Sequence, residues 1–281
     1  MKRFDIDSDK AENPESTEPT PRRRGARAVE MVPTLVTLGN LFSGFLAIAY
    51  LTDSMTVVDD SVRIGLIEKA AGLIFLAMFF DAVDGWVARK MGSSSDFGAQ
   101  VDSICDAVSF GAAPALLFKV MCEAEPNGIG GKSALVLAVL FLACAVLRLA
   151  RFNLETEADE SSHQSFEGLP TPAAAAVIAS LAYANVELDR GLANSWIKDG
   201  LPYLMPFVAF LMVSRFPYVH AASFLLKRKS FPMLIALVFL VGVIVLQPVV
   251  MVPGLCVAFM VWGPLFYLWR RLIQGKDEPL V

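Results

Sequence analysis

Long apolar runs fill the sequence from residue 34 onward, and they constrain the fold more than any other feature. Each run is about 15–22 residues long with few charges, and a helix needs about 20 apolar residues to cross a hydrocarbon core ~30 Å thick. Hydrophobic residues make up 55% of the 281 residues, more than is usual in soluble domains. The sequence therefore predicts an all-α, polytopic membrane helical bundle.

Eight such runs can be distinguished, and we interpret each as a transmembrane helix. Their approximate limits are 34–52, 64–88, 102–121, 133–152, 171–187, 200–214, 231–248 and 251–270. The fifth run is mostly alanine, which suits close helix packing more than lipid contact.

Polar tails are expected on both sides of this membrane domain. Residues 1–30 are rich in charge and proline and cannot bury enough apolar surface to offset ordering, so we expect a disordered tail. Residues 31–275 then form the transmembrane domain, and residues 276–281 form a short C-terminal tail.

The distribution of basic residues predicts how the chain is oriented. Arg22, Arg23, Arg24 and Arg27 directly precede the first run, and the loops at 89–101, 151–170 and 215–230 each hold Lys or Arg, whereas the opposite loops are acidic or nearly neutral. Cytoplasmic loops carry an excess of Lys and Arg. We therefore expect both tails and these loops to face the cytoplasm, with the chain in the cytoplasmic membrane. The net charge of −4 gives no indication of nucleic-acid binding.

Four aspartates flank the loop between the second and third runs. Asp81 and Asp84 are three residues apart near the end of one run, and Asp102 and Asp106 are four apart at the start of the next. On helices each pair shares one face, and an antiparallel hairpin would bring the two pairs together. Ionised carboxylates at membrane depth need a partner or a water-filled cavity.

Divalent cations would offset the repulsion among these carboxylates. Oxygen ligands suit hard ions such as Mg2+ or Mn2+, which bind carboxylates together with substrate phosphates. Two such ions about 3.5–4 Å apart can hold the attacking and leaving oxygens of a phosphoryl displacement. The small residues Gly85, Ala88 and Gly98 would leave room for a nucleotide. Arg89 can form a bidentate pair with a diphosphate.

These residues follow the order D-x2-D-G-x2-A-R-x8-G-x3-D-x3-D, which resembles the signature of the CDP-alcohol phosphatidyltransferases, and every fixed position is filled. The resemblance implies a homodimer with a di-metal site that opens to the cytoplasm. It also implies a six-helix core, extended here by two C-terminal helices. Asp81, Asp84 and Asp102 would be the main metal ligands. Asp106 would lie at the metals and act as the base that takes the proton from the acceptor hydroxyl.

Outside the signature, the chain is similar to the membrane-embedded bacterial phosphatidylserine synthases over roughly residues 32–215. The first run contains Thr37, Asn40 and Gly44, in a helix that helps to bind the CDP moiety in that branch. Segments 147–153 and 166–175 also resemble it. The resemblance implies that CDP-diacylglycerol and L-serine are the substrates, and that phosphatidylserine and CMP are the products.

Charge alone leaves the acceptor open. Arg148 and Arg151 are three residues apart at the end of the fourth run, so both can face one cavity and bind the serine carboxylate. Alternatively, they neutralise the aspartates or contact lipid headgroups. Glycerol 3-phosphate or inositol phosphate would need a larger basic pocket, which Arg215 could extend, and free inositol or choline would need fewer cations.

Two other classes of function compete with an enzyme. Carboxylates can bind a transported cation, but transporters usually place such sites near the midplane between repeated halves. Here the acids lie at one end of a hairpin and no repeat is evident. A non-catalytic membrane scaffold would have no use for a complete signature.

Overall fold

The computed structural model describes residues 24–91, 96–123, 130–158, 168–189, 195–216, 218 and 244–274. Regular structure in these ranges is helical, which confirms the predicted all-α class. The helices are α1 (Arg24–Thr56), α2 (Asp60–Met91), α3 (Asp96–Asp106), α4 (Ala113–Glu123), α5 (Gly131–Ala158), α6 (Thr171–Asp189), α7 (Ser195–Val213) and α8 (Pro248–Gln274). A π-helical turn, Ala107–Ala112, joins α3 to α4.

Five helical stretches in the described ranges are long and apolar enough to cross a membrane. They are Leu35–Thr56, Phe97–Glu123, Gly131–Leu154, Thr171–Leu188 and Pro248–Trp269. Each corresponds to one of the predicted runs, so the protein is an all-α membrane bundle. The sixth predicted run is a shorter apolar helix, Asp199–Val213, within α7.

The remaining predicted segments differ in how much of them can be compared. The second run, 64–88, lies within the 32-residue α2. The seventh run, 231–248, falls mostly outside the described residues, as do the two ends of the chain, 1–23 and 275–281. Helix α1 begins at Arg24 and therefore includes part of the segment that we predicted as a tail.

A short link at residues 57–59 turns the chain from α1 into α2, and the two helices pack along each other. Asp59 caps the start of α2, because its Oδ1 accepts hydrogen bonds from the Ser61 hydroxyl at 2.7 Å and the Ser61 backbone N–H at 2.8 Å. These bonds, with a weaker one from the Val62 N–H, hold the pKa of Asp59 below its usual value.

Helix α6 lies at the centre of the bundle, where it contacts α2, α4, α7 and α8. Four of its alanines are fully buried: Ala174, Ala175, Ala179 and Ala182. Small side chains allow helices to approach closely in a membrane. The predicted packing role of this alanine-rich run is therefore confirmed.

A tight turn before α6 fixes the start of that helix to the end of α7. Gly168 has φ +85°, the left-handed region that favours glycine. Its N–H donates to the Phe216 carbonyl at 2.9 Å, and the Leu169 N–H donates to the Leu211 carbonyl at 3.0 Å. A Cβ at Gly168 would lie 2.6 Å from the Met212 carbonyl oxygen, so the turn requires glycine.

The C-terminal helix α8 is attached to the same end of α7. Phe216 packs edge-on against Tyr267, with ring centroids 5.3 Å apart. The buried Tyr218 hydroxyl donates to the Met260 carbonyl at 2.8 Å. Helix α8 also packs against α6, so it belongs to the same bundle as the other helices.

Candidate active site

The four signature aspartates meet at one end of the bundle. Asp81 and Asp84 lie near the C-terminal end of α2, and Asp102 and Asp106 lie on α3. One ligand oxygen each from Asp81, Asp102 and Asp106 lies within 4.8 Å of the others. The hairpin geometry expected from their spacing is therefore present, and three of the four carboxylates form one compact cluster.

The site concentrates negative charge where water is scarce. Asp84 and Asp106 are buried, and Asp81 and Asp102 are half-buried. The negative charges of Asp81, Asp102 and Asp84 repel that of Asp106. Buried charges need compensation, so this arrangement favours a bound cation.

Unpartnered oxygens show where a cation could bind. Asp84 Oδ2 and Asp102 Oδ1 are buried and have no hydrogen-bond partner among the described residues. Buried polar atoms are rarely left without a partner. Together with the close cluster of carboxylate oxygens, these two atoms fit hard divalent cations such as Mg2+ or Mn2+.

Helix α1 contributes two polar contacts to the aspartates. The Thr37 hydroxyl donates a hydrogen bond to Asp84. The Asn40 side chain is fully buried, and its Nδ2 donates to Asp106 Oδ1 at 2.9 Å. Both residues were predicted to contact the CDP-lipid. In the structure each contacts an aspartate of the site.

Gly44, the third residue predicted to contact the CDP-lipid, has a packing role in the structure. A Cβ at this position would lie 2.7 Å from Ser109 Cα, on the π-helical turn that follows Asp106. The absence of a side chain thus lets α1 approach that turn closely. Gly44 also lies one helical turn after Asn40, so this contact lies directly beside the aspartate site.

The other small residues of the signature lie among the aspartates along the chain. Gly85 follows Asp84 on α2, its N–H donates to the Asp84 carboxylate, and Gly98 lies one turn before Asp102 on α3. Ala88 and Arg89 belong to the last turns of α2. The side-chain roles predicted for Ala88 and Arg89 lie outside the described part of the structure.

A cationic side chain borders the cluster. The charge of Arg148, on α5, acts on Asp81. Its Nη1 donates to Thr171 Oγ1 at 3.0 Å, and its guanidinium carbon lies 5.4 Å from the centre of the Phe152 ring. Arg151, three residues further along α5, is half-buried. The structure thus brings Arg148 close enough to act on Asp81, whereas its spacing from Arg151 had indicated only that the two arginines can face one cavity.

Three residues that contribute to the site were not predicted as site residues from the sequence. Thr171 binds Arg148, Ser109 donates to the Asn40 carbonyl at 3.0 Å, and Asn153 donates to the Ser103 hydroxyl at 2.8 Å, joining α5 to α3. A signal existed for two of them. Asn153 ends segment 147–153 and Thr171 lies within segment 166–175, and both segments had been singled out by resemblance.

Comparison with known proteins agrees with this site. The family model "CDP-alcohol phosphatidyltransferase" matches residues 30–213, which include every residue of the aspartate cluster. A protein of Methanocaldococcus jannaschii, named CDP-diacylglycerol–serine O-phosphatidyltransferase, is 33% identical over 192 residues, or 68% of this chain and 75% of its own length.

Two further relatives extend the comparison. A Mycobacterium tuberculosis protein with the same name is 29% identical over 266 residues, covering 92% of this chain and 85% of its own. That match necessarily includes residues beyond 215, where the predicted resemblance ended. The archaetidylserine synthase of Methanothermobacter thermautotrophicus is 32% identical over 190 residues, or 66% of this chain and 69% of its own. With the aspartate signature complete and clustered, the chain belongs to the CDP-alcohol phosphatidyltransferase family.

Proposed function

We propose that this protein transfers the phosphatidyl group of CDP-diacylglycerol to the hydroxyl of L-serine, giving phosphatidylserine and CMP. The observation that carries this proposal is the convergence of Asp81, Asp102 and Asp106, with ligand oxygens within 4.8 Å of one another, beside Arg148. The names of the three relatives support the acceptor. All three names include serine, whereas the lipid part of the name differs in the archaetidylserine synthase.

The four aspartates are the residues that would hold Mg2+ or Mn2+. We expect two ions, because two divalent cations would balance the charge of four carboxylates. Bound there, the ions would neutralise the diphosphate of the substrate and the charge that develops on departing CMP. Asp81, Asp84 and Asp102 serve mainly as ligands. The unpartnered oxygens of Asp84 and Asp102 support this assignment.

Asp106 is the proposed base. The serine hydroxyl oxygen forms a bond with the lipid-side phosphorus, and the bond from that phosphorus to the CMP oxygen breaks. CMP leaves with the bonding electron pair, and the hydroxyl proton passes to the Asp106 carboxylate. A carboxylate that is held in place by a hydrogen bond, as Asp106 is by Asn40, suits positioned proton transfer.

Arg148 is the proposed contact for the serine carboxylate. A guanidinium can bind a carboxylate in a bidentate way, and Nη1 of Arg148 donates to Thr171 Oγ1 at 3.0 Å. Thr171 and the Phe152 ring restrict the orientation of the guanidinium. Arg151 is the second proposed acceptor contact, since it lies one turn away on the same helix.

The diphosphate and cytidine of the lipid substrate are expected beside the small residues of the signature. Gly85, Ala88 and Gly98 would give the nucleotide room, with Arg89 pairing to the diphosphate. Thr37 would act from α1 through its bond to Asp84.

The protein is proposed to lie in the cytoplasmic membrane with this site facing the cytoplasm. The contacts from Arg148 to Thr171 and from Gly168 to Phe216 join the site to the end of α7. Basic residues Arg151 and Arg215 are therefore at the same end of the bundle as the aspartates. Their position supports a cytoplasmic site by the positive-inside rule. A homodimer, implied by the family resemblance, stays a prediction that cross-linking in intact membranes would test.

The acceptor is tested by offering several alcohols to one preparation. Vesicles containing the full-length protein, CDP-diacylglycerol and Mn2+ are given labelled serine, glycerol 3-phosphate, inositol, inositol phosphate or choline in parallel. Label should enter lipid only from serine, with an equal amount of CMP released. If only another acceptor labelled the lipid, the serine assignment would be wrong, but the phosphatidyl-transfer reaction would still hold.

Two variants test the assignment of the base. Asp106→Asn should lose turnover, whereas Asp53→Asn, which changes an exposed carboxylate of α1, should keep it. Wild-type turnover by Asp106→Asn would exclude Asp106 as the base.

A further inference from the structure

Asn40 makes a contact with the aspartate site that the signature does not contain. Its side chain has no exposed surface, and its Nδ2 donates to Asp106 Oδ1 at 2.9 Å. The two residues are 66 positions apart and belong to different helices, α1 and α3. Because the donor is a neutral amide, it can fix one oxygen of Asp106 without cancelling the negative charge that a base requires.

Asn40 is itself held by the segment that follows Asp106. The Ser109 hydroxyl, also fully buried, donates to the Asn40 backbone carbonyl at 3.0 Å. Asp106 and Ser109 therefore each form a hydrogen bond with Asn40, one with its side chain and one with its backbone. Gly44 makes this possible, because a side chain there would collide with Ser109.

Ser109 lies in the π-helical turn Ala107–Ala112. Such turns are rare within helices and occur often at functional sites, because they change the direction of side chains relative to a regular helix. Here the turn begins directly after Asp106 and supplies the second contact to Asn40. The irregular backbone and the buried amide thus belong to one local arrangement around Asp106.

We propose that Asn40 is a positioning residue that holds the Asp106 carboxylate in its reactive orientation, with Ser109 as the anchor of Asn40. The inference rests on the proposed function, in which Asp106 takes the proton of the serine hydroxyl. Asn40 fixes Oδ1 and leaves the second oxygen of Asp106 to receive that proton. Asn40 acts through Asp106 and is not itself expected to bind serine.

The kinetic test uses Asn40→Leu, which keeps a side chain of similar size and removes the donor. Loss of a hydrogen bond to a charged group should lower kcat roughly 10- to 100-fold, with the KM for serine and CDP-diacylglycerol within about twofold of wild type, because Asn40 acts on the reacting group. Ser43→Ala is the matched control. Ser43 is also buried on α1, but its hydroxyl bonds to the Gly39 carbonyl at 2.8 Å, so turnover should be unchanged.

Two Ser109 variants keep the proposal testable if Asn40→Leu does not fold. Ser109→Ala should lower kcat, and Ser109→Thr, which retains the hydroxyl, should restore most of it. Wild-type kcat values in both Asn40→Leu and Ser109→Ala would overturn the proposal, as would an effect of these variants on KM alone.

A double-mutant cycle in thermal unfolding gives a readout that is independent of turnover. The Tm change caused by Asn40→Leu should differ between wild type and Asp106→Ala by roughly 2–4 °C, because the hydrogen bond exists in only one background. Additive Tm changes would contradict the coupling. A wild-type protein that makes no lipid from serine, yet shows this coupling, would instead reject the proposed function.

Discussion

Replacement of Gly44 by alanine tests whether close packing of α1 on the π-helical turn maintains the site. The added Cβ would lie 2.7 Å from both Cα and Cβ of Ser109. Carbon atoms in favourable contact are about 3.5–4.0 Å apart. Helix α1 and the turn must therefore separate by roughly 1 Å to relieve the overlap.

That separation would act on the two hydrogen bonds around Asn40. They measure 3.0 Å from Ser109 and 2.9 Å to Asp106, and an added ~1 Å takes both beyond hydrogen-bonding distance. A misplacement of about 1 Å can cost ~100-fold in rate. Overpacking costs about 1–3 kcal/mol, offset by about 1 kcal/mol that alanine gains over glycine inside a helix. We expect turnover roughly 100-fold lower and stability lower by about 0–2 kcal/mol.

The same substitution at Gly72, on α2, is the control. No described atom lies within 4 Å of a Cβ at Gly72, so Gly72→Ala should keep wild-type turnover and a Tm at or above that of wild type. CMP release and thermal unfolding of both variants in vesicles provide the comparison. Wild-type turnover by Gly44→Ala, with a Tm equal to that of Gly72→Ala, would refute the packing argument.

Three further predictions concern stability, acceptor binding and metal. Gly168→Ala places a side chain in the left-handed region, at a cost of about 1–2 kcal/mol, and brings its Cβ against the Met212 carbonyl. The Tm should therefore fall, and an unchanged Tm would contradict the turn geometry. Thr171→Val removes the hydrogen bond to Arg148 and should raise the KM for serine roughly 10-fold, whereas Thr171→Ser should not; equal KM values would argue against a role for Arg148 in acceptor binding. EDTA should abolish CMP release, and added Mg2+ or Mn2+ should restore it, so turnover that persists in the chelator would exclude a metal requirement.

The sequence predicted the aspartate cluster because its geometry is local. Spacings of three and four residues place carboxylates on one helix face, and a short connection between two apolar runs makes an antiparallel hairpin. Hydrophobic length likewise predicted the five spans found among the described residues, since the thickness of the bilayer sets the length of a helix. The alanine content of the fifth run predicted its close packing against other helices, because small side chains allow close helix contact.

Contacts between distant parts of the chain could not be predicted in this way. The spacing of Asn40 and Asp106 carries no periodic signal across 66 residues, and their contact depends on how α1 packs against α3. The same applies to Arg148 and Thr171, which are 23 residues apart on different helices. Gly44 was predicted to contact the CDP-lipid from its resemblance to one branch of the family, whereas in the structure Ser109 lies against it.

The π-helical turn was also not predicted from the sequence. Residues 107–112 have the sequence AVSFGA, which is equally compatible with an ordinary α-helix. Gly168 was noted only as part of a segment similar to one branch of the family. Its positive φ follows from the hydrogen bonds to Leu211 and Phe216 that fix the chain at the end of α7.

The most direct test of the central claim follows the hydroxyl oxygen of serine through the reaction. Vesicles with the wild-type protein, CDP-diacylglycerol and Mn2+ are given L-serine labelled with oxygen-18 in the hydroxyl, and lipid and CMP are analysed by mass spectrometry. Attack by that oxygen predicts phosphatidylserine that retains the label, unlabelled CMP in equal amount, and neither product with Asp106→Asn. Label in CMP, lipid without the label, or normal product from Asp106→Asn would contradict the account.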